Sequence, residues 1–128
     1  MKIDHVALYC RDLEGMKTFF EKYFHGKPNN LYHNPRTHLR TYIISFSEGC
    51  AKLEIMSRPE VEGDNSNLFH CGYIHLSFAI GNKEEVNDLT SRLKADGYNI
   101  VSNPRTTGDG YYESCITGPE GILIEITQ

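Results

Sequence analysis

Tyr73-Ile74-His75-Leu76-Ser77-Phe78-Ala79-Ile80 is an apolar run carrying one histidine, and the chain opens on a near counterpart, Ile3-Asp4-His5-Val6-Ala7-Leu8-Tyr9-Cys10. Both read as strands, the opening run Ile3–Cys10 mostly apolar on its two faces and so expected to be covered on both sides. Each histidine is followed at the same interval by a glutamate in another strand-like run. His5 and Glu54 lie 49 residues apart, and His75 and Glu125 lie 50 apart. A chain of 128 residues therefore reads as one plan used twice, with an imidazole and a carboxylate in each copy.

The elements between these residues repeat as well. Asp12 can cap a helix in which Leu13, Met16, Phe19, Phe20, Tyr23 and Phe24 recur at three- and four-residue intervals, the mark of a core-facing stripe. His25–Gly26 and Lys27–Pro28–Asn29–Asn30 stop it, with Gly26 expected to take a left-handed cap. Strands are expected at Leu31–His33, Leu39–Phe46 and Ala51–Met56, the last two joined by a turn at Ser47–Gly49. After Tyr73–Ile80, a helix over Lys83–Ala95 places Val86, Leu89 and Leu93 on one face. Short strands at Tyr98–Val101, Tyr111–Ile116 and Ile122–Thr127 follow, with turns at Gly108–Gly110 and Thr117–Gly121. The expectation is an α+β fold of two tandem βαβββ modules, residues 1–58 and 70–128, with curved mixed sheets and a linker at 59–69.

Composition narrows the function. Thirteen basic against seventeen acidic residues give a net charge of −4, which argues against broad contact with nucleic-acid phosphates or an anionic membrane. A start of MKIDHVALY has no cationic leader or long apolar stretch, so a cytoplasmic protein is expected. Cys10, Cys50, Cys71 and Cys115 form no CxxC pair and are expected as free, mostly buried thiols. No dinucleotide loop, phosphate loop or nucleophile elbow is present: Gly108–Asp109–Gly110 lacks the further glycines.

Glutamate inside an apolar strand needs a cation, protonation or an exposed face. Glu54 in Lys52–Met56 and Glu125 in Leu123–Ile126 fit any of these. His5 likewise reads as a strand-edge residue or a ligand, and His75 as a satisfied core histidine or a ligand. The matched intervals favour one shared site of His5, Glu54, His75 and Glu125. Imidazole and carboxylate donors suit a borderline divalent ion such as Ni, Co, Zn, Mn or Fe, with places left for water or substrate. Such an ion stabilises a developing oxyanion, and Glu54 or Glu125 can move a proton. Tyr9, Phe46, Tyr111 and Tyr112 serve either as core packing or as an aromatic lining for substrate. Arg36, Arg40, Arg58 and Arg105 are surface charges unless the fold gathers them into an anion clamp.

Three segments, in order, resemble the vicinal-oxygen-chelate superfamily, which contains glyoxalase I, fosfomycin-resistance proteins, methylmalonyl-CoA epimerase and extradiol dioxygenases. They are His5–Leu8 with Arg11–Leu13 and the aromatic helix to Gly26, then Gly72–Phe78, and finally Gly118–Glu125, where Gly-Pro-Glu-Gly stands for the family's Asp-Pro-Asp-Gly. The resemblance implies a cup around one divalent metal, with His5, Glu54, His75 and Glu125 matching the His/Glu/His/Glu set of glyoxalase I and the epimerase. It implies proton transfer in a small oxygenated substrate, a thiol adduct of an alpha-oxoaldehyde, with Glu54 and Glu125 as bases, and it implies a homodimer. Bacterial glyoxalase I usually has an arginine for the glutathione carboxylate where this chain has Tyr9. An acyl-thioester epimerase and a non-catalytic drug- or small-molecule-binding protein are the competing expectations.

Overall fold

The computed structural model describes residues 2–63 and 71–128, and the chain divides into two compact units, Met1–Gly63 and Asp64–Gln128. Positions 64–69 of the expected linker lie outside the described residues. The fold is α+β, two βαβββ-like modules each with its own mixed sheet.

The first unit runs β1 (His5–Tyr9), α1 (Leu13–Phe24), β2 (Lys27–Pro28), β3 (Tyr32–His33), β4 (Arg40–Ser45) and β5 (Lys52–Ser57). The sheet order is β1-β5-β4-β2, with β3 also on β4; β1 and β5 are parallel and the other pairs antiparallel. α1 starts at Asp12, whose carboxylate accepts from Gly15 N, and its six expected stripe residues are all buried. That stripe packs across β4 and β5, where Tyr42, Ile44, Leu53 and Ile55 are buried. Phe20 is fully buried and meets Phe46, just after β4, edge-on at 6.1 Å, so burial and ring geometry both favour one seating of the helix. The left-handed cap falls on His25 (φ 53°) rather than on Gly26. Gly26 is required for a different reason: a Cβ there would sit 2.6 Å from the Ile44 side chain.

The second unit runs β6 (His75–Ala79), α2 (Lys83–Ala95), β7 (Asn99–Thr106), β8 (Tyr112–Thr117), a 3-10 turn (Pro119–Gly121) and β9 (Leu123–Thr127). Its sheet order is β6-β9-β8-β7, again with the first and last strands parallel. Asn82 caps α2 by accepting from Glu84 N and Glu85 N while Glu85 accepts from Asn82 N, a reciprocal capping box. The buried residues of α2 are Val86, Thr90 and Leu93, so the expected Leu89 yields its place to a threonine. Thr90 is accommodated because its hydroxyl meets both Val86 O and the Ser114 hydroxyl at 2.6 Å. The Gly118–Gly121 turn closes with Glu120 (φ 52°) and Gly121 (φ 81°) in left-handed backbone, as the Gly-Pro-Glu-Gly segment is expected to turn.

Two expectations are corrected by exposure. β1 and β6 alternate between exposed and half-buried residues, so within its unit each is covered on the helix side only. The four cysteines are free, but Cys10 alone is buried; Cys50 and Cys71 are exposed because they sit in turns outside the strands. Among the described residues no helix is long and apolar enough to cross a membrane.

Candidate metal centre

Strand alternation places His5, Ala7 and Tyr9 on the face of the first sheet that α1 does not cover. In the parallel β1–β5 pair, His5 is opposite Lys52 and Ala7 is opposite Glu54, which makes His5 and Glu54 diagonal neighbours. Their side chains meet, with His5 Nε2 3.6 Å from Glu54 Oε2. The second unit reproduces this register: His75 is opposite Leu123, Ser77 is opposite Glu125, and His75 Nε2 lies 3.3 Å from Glu125 Oε2. Both glutamates are 22% exposed at the side chain, so neither is sealed in a core nor free in solvent. His75 is 38% exposed, which removes the reading of a core histidine.

The partners of the two pairs differ. Asp4 Oδ2 lies 3.1 Å from His5 Nδ1, an arrangement that leaves the lone pair on Nε2 if Nδ1 carries the proton. The His5 hydrogen bond, then the Lys52 charge, hold the Asp4 carboxyl below its ordinary range. Thr41, absent from the sequence reading, places Oγ1 3.1 Å from Glu54 Oε1 and 3.0 Å from Ile55 O, so one hydroxyl proton lies between two acceptors. On β8, Cys115 stands opposite Glu125. Burial, then the charges of Glu125 and Glu113, push the Cys115 thiol up and keep it from acting as a ready thiolate.

The aromatic candidates separate by face. Tyr9 is 52% and Tyr111 60% exposed, available to a ligand. Phe46 packs edge-on against Phe20, 6.1 Å between ring centres, and so belongs to the α1 side. Tyr112 donates its hydroxyl to Asn87 Oδ1 at 2.8 Å and lies under Lys83, both on α2. Alternation puts Tyr112 on the opposite sheet face from Glu125, and its expected lining role is replaced by packing on α2. Of the four arginines named from sequence, Arg40 and Arg58 are brought to one cleft, while Arg36 and Arg105 do not line it.

A cation bonded to an imidazole nitrogen and a carboxylate oxygen at about 2.0–2.2 Å, with roughly 90–110° between the bonds, holds them roughly 2.9–3.5 Å apart. The His75–Glu125 pair falls inside that range and the His5–Glu54 pair, at 3.6 Å, lies just beyond it. The residues therefore fit a divalent ion as two bidentate halves. Among the described residues, no group of three or more His, Cys, Asp and Glu side chains gathers to hold a metal.

Residues 2–126 match the family model of the Glyoxalase/Bleomycin resistance protein/Dioxygenase superfamily. The chain belongs to that superfamily. No curated protein matches it in sequence. A glyoxalase family protein from Enterococcus faecalis is similar in structure at 20% identity and a TM-score of 0.80, covering 99% of this chain and 97% of that one. One from Bacillus cereus is 18% identical with a TM-score of 0.83, covering 99% and 93%. Glyoxalase I from Zea mays gives 18% identity and a TM-score of 0.82; the match covers 99% of this chain and 44% of the maize chain. At such identities the likeness speaks to the fold. Superfamily members often bind a divalent metal and small molecules.

Proposed function

We propose that this chain is a glyoxalase I-like, metal-dependent isomerase that moves a proton within a thiol adduct of an alpha-oxoaldehyde. The observation that carries this reading is the identical register of the two His–Glu pairs, which places four ligands of the right chemistry at equivalent points of two modules. His5, Glu54, His75 and Glu125 would hold the metal, the two pairs being brought together within one chain or in a homodimer. When bound, the metal supplies stabilisation of the oxyanion that develops as the substrate loses its proton. Glu54 and Glu125 take up and return that proton, a role open to carboxylates that are neither buried nor fully solvated. Tyr9 and Tyr111 offer aromatic surface to the substrate. The proposed setting is the cytoplasm, with neither nucleic acid nor membrane as partner.

The test measures metal per chain by elemental mass spectrometry after loading with Ni, Co, Mn, Fe or Zn, in the native protein and in Glu54→Gln and Glu125→Gln. The expected result is near-stoichiometric metal that both substitutions weaken, with hemithioacetal turnover lost in at least one variant. Acyl thioesters assayed alongside separate isomerase from epimerase. The exposed Tyr9 and Tyr111 favour a second reading, a non-catalytic small-molecule-binding protein. No specific metal under any loading, with no solvent proton exchanged into bound ligand, would replace the first reading by the second.

A further inference from the structure

The two His–Glu pairs share a register but not a proton arrangement. A neutral imidazole carries one N–H, and the acceptors around the ring decide which nitrogen holds it. His5 Nδ1 lies 3.1 Å from Asp4 Oδ2, within hydrogen-bond range, whereas its Nε2 lies 3.6 Å from Glu54 Oε2, beyond that range. The proton of the neutral ring therefore sits on Nδ1, and Nε2 turns a lone pair toward the Glu54 carboxylate. Asp4 is itself held. Lys52 N donates to Asp4 O at 2.9 Å, and Lys52 Nζ stands 3.7 Å from Asp4 Oδ1, the oxygen that His5 does not use.

Glu54 is fixed in a similar way, because Thr41 Oγ1 lies 3.1 Å from Oε1 and leaves Oε2 to face His5. A lone pair and a carboxylate oxygen thus confront each other with no proton between them, a place that a cation fills favourably. In the second unit, among the described residues, nothing meets His75 Nδ1 and no donor bonds the Glu125 carboxylate. The single proton of a neutral His75 ring is drawn to Nε2, 3.3 Å from Glu125 Oε2, where it blocks the lone pair a metal needs.

The shorter contact therefore does not make the better half-site. The first pair exceeds the chelate range by only about 0.1 Å, which a small side-chain rotation removes. A partner that sets a ligand's tautomer is worth about 10–100-fold in metal affinity, and only His5 has one.

We propose that Asp4 is a positioning residue that sets the His5 tautomer and, with Thr41, makes the His5–Glu54 pair the half of the centre that captures the metal. The capture role rests on the metal-centre reading; the tautomer does not. The first test is long-range ¹H–¹⁵N NMR of the histidine rings in the chelator-treated, metal-free full chain at about pH 8.5, where ordinary imidazoles are neutral. The expected result is opposite tautomers, Nδ1–H at His5 and Nε2–H at His75, with Asp4→Ala moving His5 alone to Nε2–H. The second test is zinc affinity, by competition with a chromophoric chelator, in His75→Ala/Glu125→Gln, which keeps the first pair, and in His5→Ala/Glu54→Gln, which keeps the second. The variant that keeps the first pair should bind zinc at least about tenfold more tightly, and adding Asp4→Ala to it should abolish the difference. Native amide signals from Leu13–Phe24 and Lys83–Ala95 show that the variants are folded. Nε2–H at His5 in the native chain, or equal or reversed affinities in the folded variants, overturns the proposal. A native chain that takes up no zinc overturns the metal-centre reading and the capture role with it, while the ring signals still decide whether Asp4 sets the tautomer.

Discussion

In the first unit the buried Thr41 hydroxyl is shared between Glu54, on the open face of the sheet, and Ile55 O, whereas in the second the buried hydroxyls of Thr90 and Ser114 meet each other between helix and sheet. The position on β8 that matches Thr41 of β4 is Glu113, two residues from Cys115, which faces Glu125. The ligand pairs share a register, but their carboxylates have different company: a hydroxyl donor beside Glu54, a thiol and a second acid near Glu125. Repetition of a fold thus conserves where a side chain can stand without conserving what holds it there.

The largest effect that sharpens this comparison is expected in the second unit. The Thr90 hydroxyl has one proton, and its 2.6 Å contact with Val86 O takes it, so Ser114 is the donor in the 2.6 Å contact between them. Thr90→Val strands the Ser114 O–H in a fully buried site and should cost about 1–3 kcal/mol in urea unfolding. Ser114→Ala leaves Thr90 bonded to Val86 and should cost less, about 0.5–1.5 kcal/mol. The reverse ranking would mean that the proton order is wrong, and a change in metal loading in either variant would mean that the hydroxyl pair is coupled to the open face.

Thr41→Val is the corresponding change in the first unit. It keeps the volume and removes the donor beside Glu54, so, on the metal-centre reading, metal affinity should fall about tenfold, as with other partners that orient a ligand. Competition with a chromophoric chelator gives the number. Affinity equal to that of the native protein would show that Glu54 needs no such support, and the two carboxylates would then be equivalent despite their surroundings.

Which parts of this were legible in sequence follows from how local each signal is. Both helices begin and end where the caps and apolar periods place them, at Leu13–Phe24 and Lys83–Ala95. The two strand errors share one cause. The sequence pattern places a turn at Lys27–Pro28 and a strand over Tyr98–Val101 that ends before Pro104, yet β2 includes Pro28 and β7 runs through Pro104 to Thr106. Both strands are sheet edges, where a residue without an N–H leaves no ladder partner unserved, and β7 takes up Pro104 with register shifts on either side of Ser102. The His and Glu positions stood out because carboxylates in apolar strands are conspicuous and their intervals match. Thr41 carried no such signal, since a threonine in a strand is ordinary. The gathering of Arg11, Arg40 and Arg58 was equally silent, because it depends on β1, β4 and β5 ending at one place rather than on any spacing in the chain.

The smallest expected effect concerns Glu14, whose cluster belongs to the first unit. Its carboxylate accepts from Lys17 Nζ at 2.7 Å and from the Tyr42 hydroxyl at 3.0 Å, and these two contacts, in that order, hold its carboxyl below the ordinary range. The depressed value means that the folded state holds the proton less tightly than the unfolded chain. Its stabilisation is therefore complete above the ordinary carboxylate range and is lost as pH falls through the lower folded value. Lys17 has the opposite sign: its ammonium is raised, chiefly by Glu14, so its share is present below the ordinary lysine range and is lost as pH rises through the folded value. Because Glu14 is half exposed, solvent screening limits the whole contribution to about a few tenths of a kcal/mol. Glu14→Gln should accordingly lower Tm slightly at neutral pH and shrink the difference from native as the buffer is taken toward pH 3. A difference that grows on acidification would place the acid-sensitive contacts elsewhere, and the Asp4–His5 contact beside the first ligand pair would be the next to examine.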